Sequence, residues 1–353
     1  MTTGRLRTPA RRVARGGAFE APEAHRPPVL VTGASGFVGG HLALRLRGLG
    51  HPVRALVRPC AAVQSLRAAG ISLIEGDLRN RQDVLRAAAG VSRIYHLGAV
   101  FRAPTLPDSY YREVNVGGTE HILEASRRHG VERTIHCSTI AVHGAGKEIL
   151  CDEESPFGPL DIYQQTKLEG ELRARAAIDG GLPVVIACPA GIYGPGDLRF
   201  LKLFQTIYLR RFRMLDAGAT WWQGIYIDDL IDGLLLCAEH PDALGQTYIL
   251  AEERHVTLDQ VVEVIARAVG APSPKAHWPL VAGAALRKAL CRSLGVEPPP
   301  HPRLAASPIP DRASLWQKAQ NELGYTPQVP LEDGLGRTAA WYLEHGYLSP
   351  RSA

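Results

Sequence analysis

The most constraining feature of the 353-residue chain is an apolar run, Val29–Thr32, that turns through Gly33-Ala34-Ser35-Gly36-Phe37-Val38-Gly39 directly into a helical stretch, Val38–Leu49. A buried strand that turns on glycine into a helix opens a βαβ unit, and the pattern repeats. Val53–Val57, Ile71–Glu75, Ser92–His96, Arg133–Ser138 and Pro183–Cys188 read as further strands, with Asn115–His129 and Ile162–Ile178 as intervening helices. Strands alternating with helices predict an α/β fold, a doubly wound parallel sheet covered on both faces. After about residue 190 the rhythm breaks and proline-bearing loops multiply. The core is therefore expected over 28–190, with a smaller cap over 191–353 from which 225–250 returns to the core.

Charge is unevenly spread. Residues 1–27 hold Arg5, Arg7, Arg11, Arg12, Arg15 and Arg26 against Glu20 and Glu23, so of the net +5 only +1 belongs to the remaining chain. A body that close to neutrality is a poor partner for a phosphate backbone, so no nucleic acid is expected. The first 27 residues read as a disordered Arg-rich extension; a targeting peptide would want more serine and a clear amphipathic stripe. No apolar stretch approaches the roughly 20 residues of a membrane span. The six cysteines (60, 137, 151, 188, 237 and 291) form no CxxC pair. Neither a disulfide framework nor a metal site is expected, and a reducing cytoplasm suits the chain.

Glycines at positions 33, 36 and 39 give a tight turn, let backbone N–H groups approach a pyrophosphate and allow close helix–strand packing. The helix N-terminus adds oriented donors and a partial positive charge. Residues 33–39 are therefore a candidate dinucleotide cradle, with Ser35, Phe37 and Val38 against the ligand. The end of the second strand bears on which dinucleotide binds. An NAD site places an acid there for the ribose 2′-hydroxyl. Between Gly40 and Ile74 there is no acidic residue, and Arg58 occupies the position. A guanidinium suits a 2′-phosphate, so NADP is preferred and NAD is the alternative.

Tyr163 and Lys167 lie four residues apart, on one face of a helix and one turn from each other. A tyrosine with its ordinary pKa of about 10 is a poor acid–base near neutrality, and a nearby ammonium is expected to lower it. A third group, a hydroxyl for the substrate oxygen, should come from Ser138 or Thr139 at the end of the preceding strand. Neighbouring side chains point to opposite faces, so one of the two reaches the site.

In this order on one framework, these elements resemble the extended short-chain dehydrogenase/reductase family, in its NAD-dependent epimerase/dehydratase branch. Further segments are similar: Glu75-Gly76-Asp77-Leu78, His96-Leu97-Gly98-Ala99, Asn115-Val-Gly-Gly-Thr119, Pro189-Ala-Gly-Ile192-Tyr-Gly-Pro-Gly196, Tyr226-Ile-Asp-Asp229 and Glu322-Leu-Gly-Tyr325. The resemblance spans roughly 28–346. It implies a Rossmann-type core with a substrate-binding cap, and a triad of Thr139, Tyr163 and Lys167. It also implies cofactor contacts from Asp77, Leu78, Leu97, Gly98, Ala99, Asn115, Pro189 and Ile192. A homodimer through the helices after Asn115 and at Tyr163 is implied as well.

Three departures bear on the branch. His143 replaces a tyrosine common in sugar-nucleotide enzymes; Ile140-Ala141 replaces the Asp-Glu pair of dehydratases; and Trp222, counted from Gly218, replaces a diphosphate-clamping arginine. An indole cannot replace a bidentate guanidinium. These point toward the relatives resembling 3β-hydroxysteroid dehydrogenases and dihydroflavonol reductases, with Phe101, His143 and Trp222 as candidate substrate contacts. Arg199, Lys202, Arg210, Arg211 and Arg213 could bind a phosphate or form a solvated helix face. Trp278–Leu294 reads as a cap helix or a membrane-surface segment, followed by a proline-rich loop to Pro310. The expected function is oxidation or reduction at a secondary alcohol or ketone. A nucleotide-sugar epimerase and a non-catalytic dinucleotide-binding sensor or scaffold are the alternatives.

Overall fold

The computed structural model describes residues 26–59, 61–101, 103, 105–144, 150–212, 221–274 and 313–348. Most of the N-terminal extension, Arg213, Gly218, the segment Trp278–Leu294 and the loop to Pro310 lie outside the described residues.

The first unit forms as its residues dictate. Strand β1 (Val29–Thr32) is buried along its whole length, as a strand between two helical layers must be. It turns at Gly33, whose φ of +73° favours glycine, and a Cβ there would meet the Gly98 nitrogen at 2.8 Å. Helix α1 (Phe37–Gly48) follows, packed so closely that a Cβ on Gly39 would stand 2.2 Å from the Gly33 carbonyl oxygen.

The chain then continues through β2 (Val53–Val57), α2 (Gln64–Ala68), β3 (Ser72–Glu75), α3 (Arg81–Ala88) and β4 (Arg93–His96). Next come α4 (Asp108–Arg112), α5 (Gly118–His129) and β5 (Arg133–Cys137). Strand β6 (Leu150–Cys151), helix α6 (Ile162–Asp179) and strand β7 (Val184–Pro189) complete the Rossmann half. The C-terminal part holds β8 (Gly191–Tyr193), α7 (Leu201–Tyr208), β9 (Trp221–Trp222), β10 (Gly224–Tyr226) and α8 (Ile227–Glu239). It ends with β11 (Thr247–Leu250), β12 (Val256–Thr257), α9 (Leu258–Ala268), β13 (Ala313–Ser314) and helices Gln317–Leu323 and Leu331–Glu344.

Seven strands pair in parallel in the order β11-β7-β5-β4-β1-β2-β3. The order reverses between β1 and β4, where an open α/β sheet leaves a crevice at its carboxyl edge. At the other end, β11 is an edge strand. The buried Glu153, in the loop after β6, accepts the Ile249 N–H at 2.8 Å, and helix Gln317–Leu323 packs beside the strand.

One helix differs from its sequence reading. In place of a helix beginning at Asn115, the chain is helical from Asp108, with a wide π turn at Glu113–Gly117 leading into α5. The turn seats Asn115 in the interior. Its Oδ1 accepts from the Val100 N–H at 2.7 Å, and its Nδ2 donates to the Thr166 hydroxyl at 2.9 Å. Helix α6 crosses so near that a Cβ on Gly170 would stand 2.8 Å from the Asn115 carbonyl oxygen.

The C-terminal elements form three two-stranded sheets, β8 with β10, β9 with β12 and β6 with β13. Helix α9 starts on a capping box between Thr257 and Gln260, which satisfies its first amides. Helix Leu331–Glu344 packs on α9. One apolar cluster runs from Val31 and Tyr95 on one face of the sheet to Trp222 and Tyr342, and a second, around Leu30, Ile94 and Ile122, packs on the other face.

Candidate active site

A cavity of about 1000 Å³ opens at the carboxyl edge of the sheet. Gly33, Ser35, Gly36, Phe37, Val38 and Gly39 line one side of it. The N-terminus of α1 carries no side-chain cap and no acid in its first turn. That donor set suits a diphosphate, since the first amides of a helix have no partner within it. Arg58 lines the same end, as do Asp77 and Leu78. Both Asp77 oxygens accept from Arg79, at 3.1 and 3.0 Å. Burial raises the Asp77 carboxyl, but the hydrogen bonds and charge of Arg79 outweigh it and hold the group below its ordinary value. Leu97, Gly98 and Ala99, then Pro189 and Ile192, continue the wall toward the cap. The residues present thus fit a dinucleotide from end to end.

Thr139, Tyr163 and Lys167 meet at the far end of that wall. Asp161 starts α6 by accepting the Gln164 N–H at 2.8 Å, which sets the helix carrying Tyr163 and Lys167. Lys167 is buried, and its Nζ donates to the Cys137 carbonyl oxygen at 2.6 Å. Burial lowers its pKa, with Cys137 and Glu171 opposing the shift. Tyr163 shows the reverse of the expected direction. Burial pushes its phenol well up and Cys137 adds to the shift; Arg199 and the nearby Thr139 hydroxyl offset only part of it. Phe101 meets the Tyr163 ring edge-on at 4.8 Å.

The two strand-end hydroxyls divide as alternation requires. Ser138 donates to Glu171, which also accepts from Arg175 at 2.9 Å. Thr139 accepts from the Ala141 N–H and lines the cavity with Tyr163.

Three expected contacts stand elsewhere. Asn115 is not among the residues lining the cavity; it braces the Val100 loop against α6. His143 accepts or donates at Nδ1 with the Ser155 carbonyl, 2.8 Å away, stacks on Phe157 and lies outside the cavity. Trp222 is 3% exposed, packs against Tyr193 and does not line the cavity, because β9 pairs inward with β12. Conversely, Arg199, Lys202 and Arg211 do line it. The sequence alone favours a solvated helix face for these residues over a phosphate site. Among the described residues, no group of three or more His, Cys, Asp or Glu side chains could hold a metal ion. No described helix is long and apolar enough to cross a membrane.

Known proteins are similar to this chain in sequence and in fold. The chain is 34% identical over 329 residues to a 2-alkyl-3-oxoalkanoate reductase of Stenotrophomonas maltophilia, a match covering 88% of this chain and 98% of that protein. It is 30% identical over 339 residues to a 3β-hydroxysteroid dehydrogenase/Δ5→4-isomerase of Mycobacterium tuberculosis, covering 89% and 90%. The crystal structure of gox2253 superposes with a TM-score of 0.79 at 27% identity, covering 92% of this chain and all of that one. Residues 29–251 match the profile of the NAD dependent epimerase/dehydratase family. The chain belongs to that family, within the extended short-chain dehydrogenases/reductases.

Proposed function

We propose that the protein is an NADP(H)-preferring oxidoreductase that reduces a ketone to a secondary alcohol, with Thr139, Tyr163 and Lys167 as its catalytic residues. The observation that carries this reading is that Thr139, Tyr163 and Lys167 line one cavity wall, with the half-buried Tyr163 phenol shifted by burial toward its protonated form. A neutral phenol is a proton donor, which suits reduction better than the abstraction needed for oxidation.

A bound nicotinamide would supply the hydride to the carbonyl carbon. Tyr163 gives its proton to the carbonyl oxygen, Thr139 holds that oxygen as its charge grows, and Lys167 supports the phenolate left behind. Phe101 and Ile140 keep water from the reacting end. Arg58 is the residue that would meet a 2′-phosphate, which favours NADP over NAD. The reductase and dehydrogenase names among the relatives agree with this chemistry.

Arg211 in the cavity wall favours a second reading, a nucleotide-sugar epimerase that recycles its cofactor. We expect a homodimer under either reading, as the family resemblance implies, and a reducing cytoplasm, as the scattered cysteines suggest.

The test is Tyr163→Phe in an NADPH-oxidation assay against a panel of ketones, with cofactor affinity measured by calorimetry. Turnover should vanish while NADPH affinity stays within a few-fold. Turnover that survives the change would sink the mechanism.

A further inference from the structure

The cap end of the cavity is apolar and cationic together. Phe101, Phe200, Leu203 and Phe212 line it alongside Arg199, Lys202 and Arg211. Arg199 is compensated: it forks onto the buried Asp197 at 2.7 and 3.1 Å and gives a further bond to the Ile192 carbonyl. Lys202 and Arg211 are not. Among the described residues, neither side chain makes a hydrogen bond or an ion pair. The acids of the cavity wall are spent elsewhere, Asp77 on Arg79 and Asp161 on the cap of α6.

The two cations are brought together by a specific backbone device. Lys202 and Thr206 are one turn apart on the face of α7 that lines the cavity. After α7 the chain passes through Arg210, whose φ of +56° makes it the one non-glycine residue in the left-handed region among those described. That conformation is uncommon for a side-chain-bearing residue and costs energy. It doubles the chain back so that the N–H groups of Arg211 and Phe212 both bond to the Thr206 carbonyl, at 2.8 and 3.0 Å. Arg211 and Phe212 thereby return to the cavity beside Thr206.

Both side chains are exposed; a neutral ketone would leave them to water, whereas an anionic one can pair with them. We propose that Lys202 and Arg211 form an anion-binding subsite, and that the substrate is an amphipathic ketone whose anionic group sits there while its apolar body lies against Phe200, Leu203 and Phe212. This deepens the ketone-reductase reading and rests on it. A carboxylate and a phosphate share the required chemistry, and the apolar wall argues against a hydrophilic nucleotide sugar.

Calorimetry on the NADP-loaded protein reads the subsite without turnover, using dodecanoate, dodecyl phosphate, 1-dodecanol and UDP-glucose. Lys202→Met with Arg211→Met should weaken one of the two dodecyl anions about tenfold to a hundredfold, the worth of one charge-assisted hydrogen bond. The better anion identifies carboxylate or phosphate, and dodecanol affinity should not change. In turnover, 3-oxododecanoate should lose kcat/KM through KM in the double variant, and its methyl ester should lose nothing.

Unchanged affinity for both anions, or equal loss with dodecanol, would overturn the subsite. UDP-glucose binding that the double variant abolishes would overturn it in favour of the epimerase. If neither ketone is reduced but the dodecyl anions bind as expected, the subsite stands and the reductase reading falls.

Discussion

Ser138 donates its hydroxyl to the carboxylate of Glu171, 2.5 Å away and wholly buried, and is thereby removed from the chemistry next to it. Glu171 is held from its other side by Arg175, so the carboxylate is compensated inside the fold. Thr139, the next residue, keeps its hydroxyl on the cavity wall with Tyr163, accepting the Ala141 N–H.

These two hydroxyls should separate cleanly by mutation. Thr139→Ala should lower kcat about a hundredfold, the usual loss when one donor to a developing oxyanion is removed, with little change in stability. Ser138→Ala should keep kcat within a few-fold and lose about 1–3 kcal/mol of stability, because a buried carboxylate loses a donor. Steady-state reduction and urea unfolding of both variants check the division. A catalytic defect in Ser138→Ala as deep as that of Thr139→Ala would refute it.

Arg58 should set cofactor choice. Arg58→Glu should weaken NADPH about tenfold to a hundredfold, by removing a charge-assisted pair and adding repulsion. NADH affinity should hold or improve, since a carboxylate suits a free 2′-hydroxyl. Calorimetric titration with both reduced cofactors gives the ratio directly.

Glu252 makes stability depend on pH. It is buried against the Tyr193 hydroxyl, and burial raises its pKa from 4.5 to about 7, against the hydrogen bond from Tyr193. From pH 4.5 to 7 the folded protein holds a proton that the unfolded chain has released. Stability therefore falls as pH rises through that window, by on the order of 3 kcal/mol, and levels off above it. Glu252→Gln keeps the polar contact and removes the titration. Its Tm relative to wild type should rise between pH 5 and 8, and a constant difference would count against the linkage.

The framework was legible because it rests on local rules. The apolar run before Gly33 and the glycine spacing set β1 and α1, and β2 forms over the residues read from the pattern, Val53–Val57. The Tyr163–Lys167 spacing brought both groups to one wall. What failed to show depends on partners distant in the chain. The bond of Lys167 to the Cys137 carbonyl involves a backbone atom that no residue pattern marks. Glu171 sits among charged residues of α6, where a solvated glutamate looks the same as a buried one. Trp222 looked like a substrate contact because, counted from Gly218, it stands where the resemblance puts a diphosphate-clamping arginine; the pairing of β9 with β12 turned it inward. The return of Arg211 to the cavity depends on a single positive φ at Arg210, a residue type that does not advertise one.

Glu153 has a consequence beyond its own bond. Its carboxylate occupies the outward N–H of Ile249, the group a foreign strand would need in order to dock on β11. A neighbouring chain could extend the sheet there only by leaving that buried carboxylate without its donor. The β11 margin of the sheet is therefore terminated rather than sticky. With helix Gln317–Leu323 packed beside it, that edge is closed twice, by a carboxylate on its free amide and by a helix over its side.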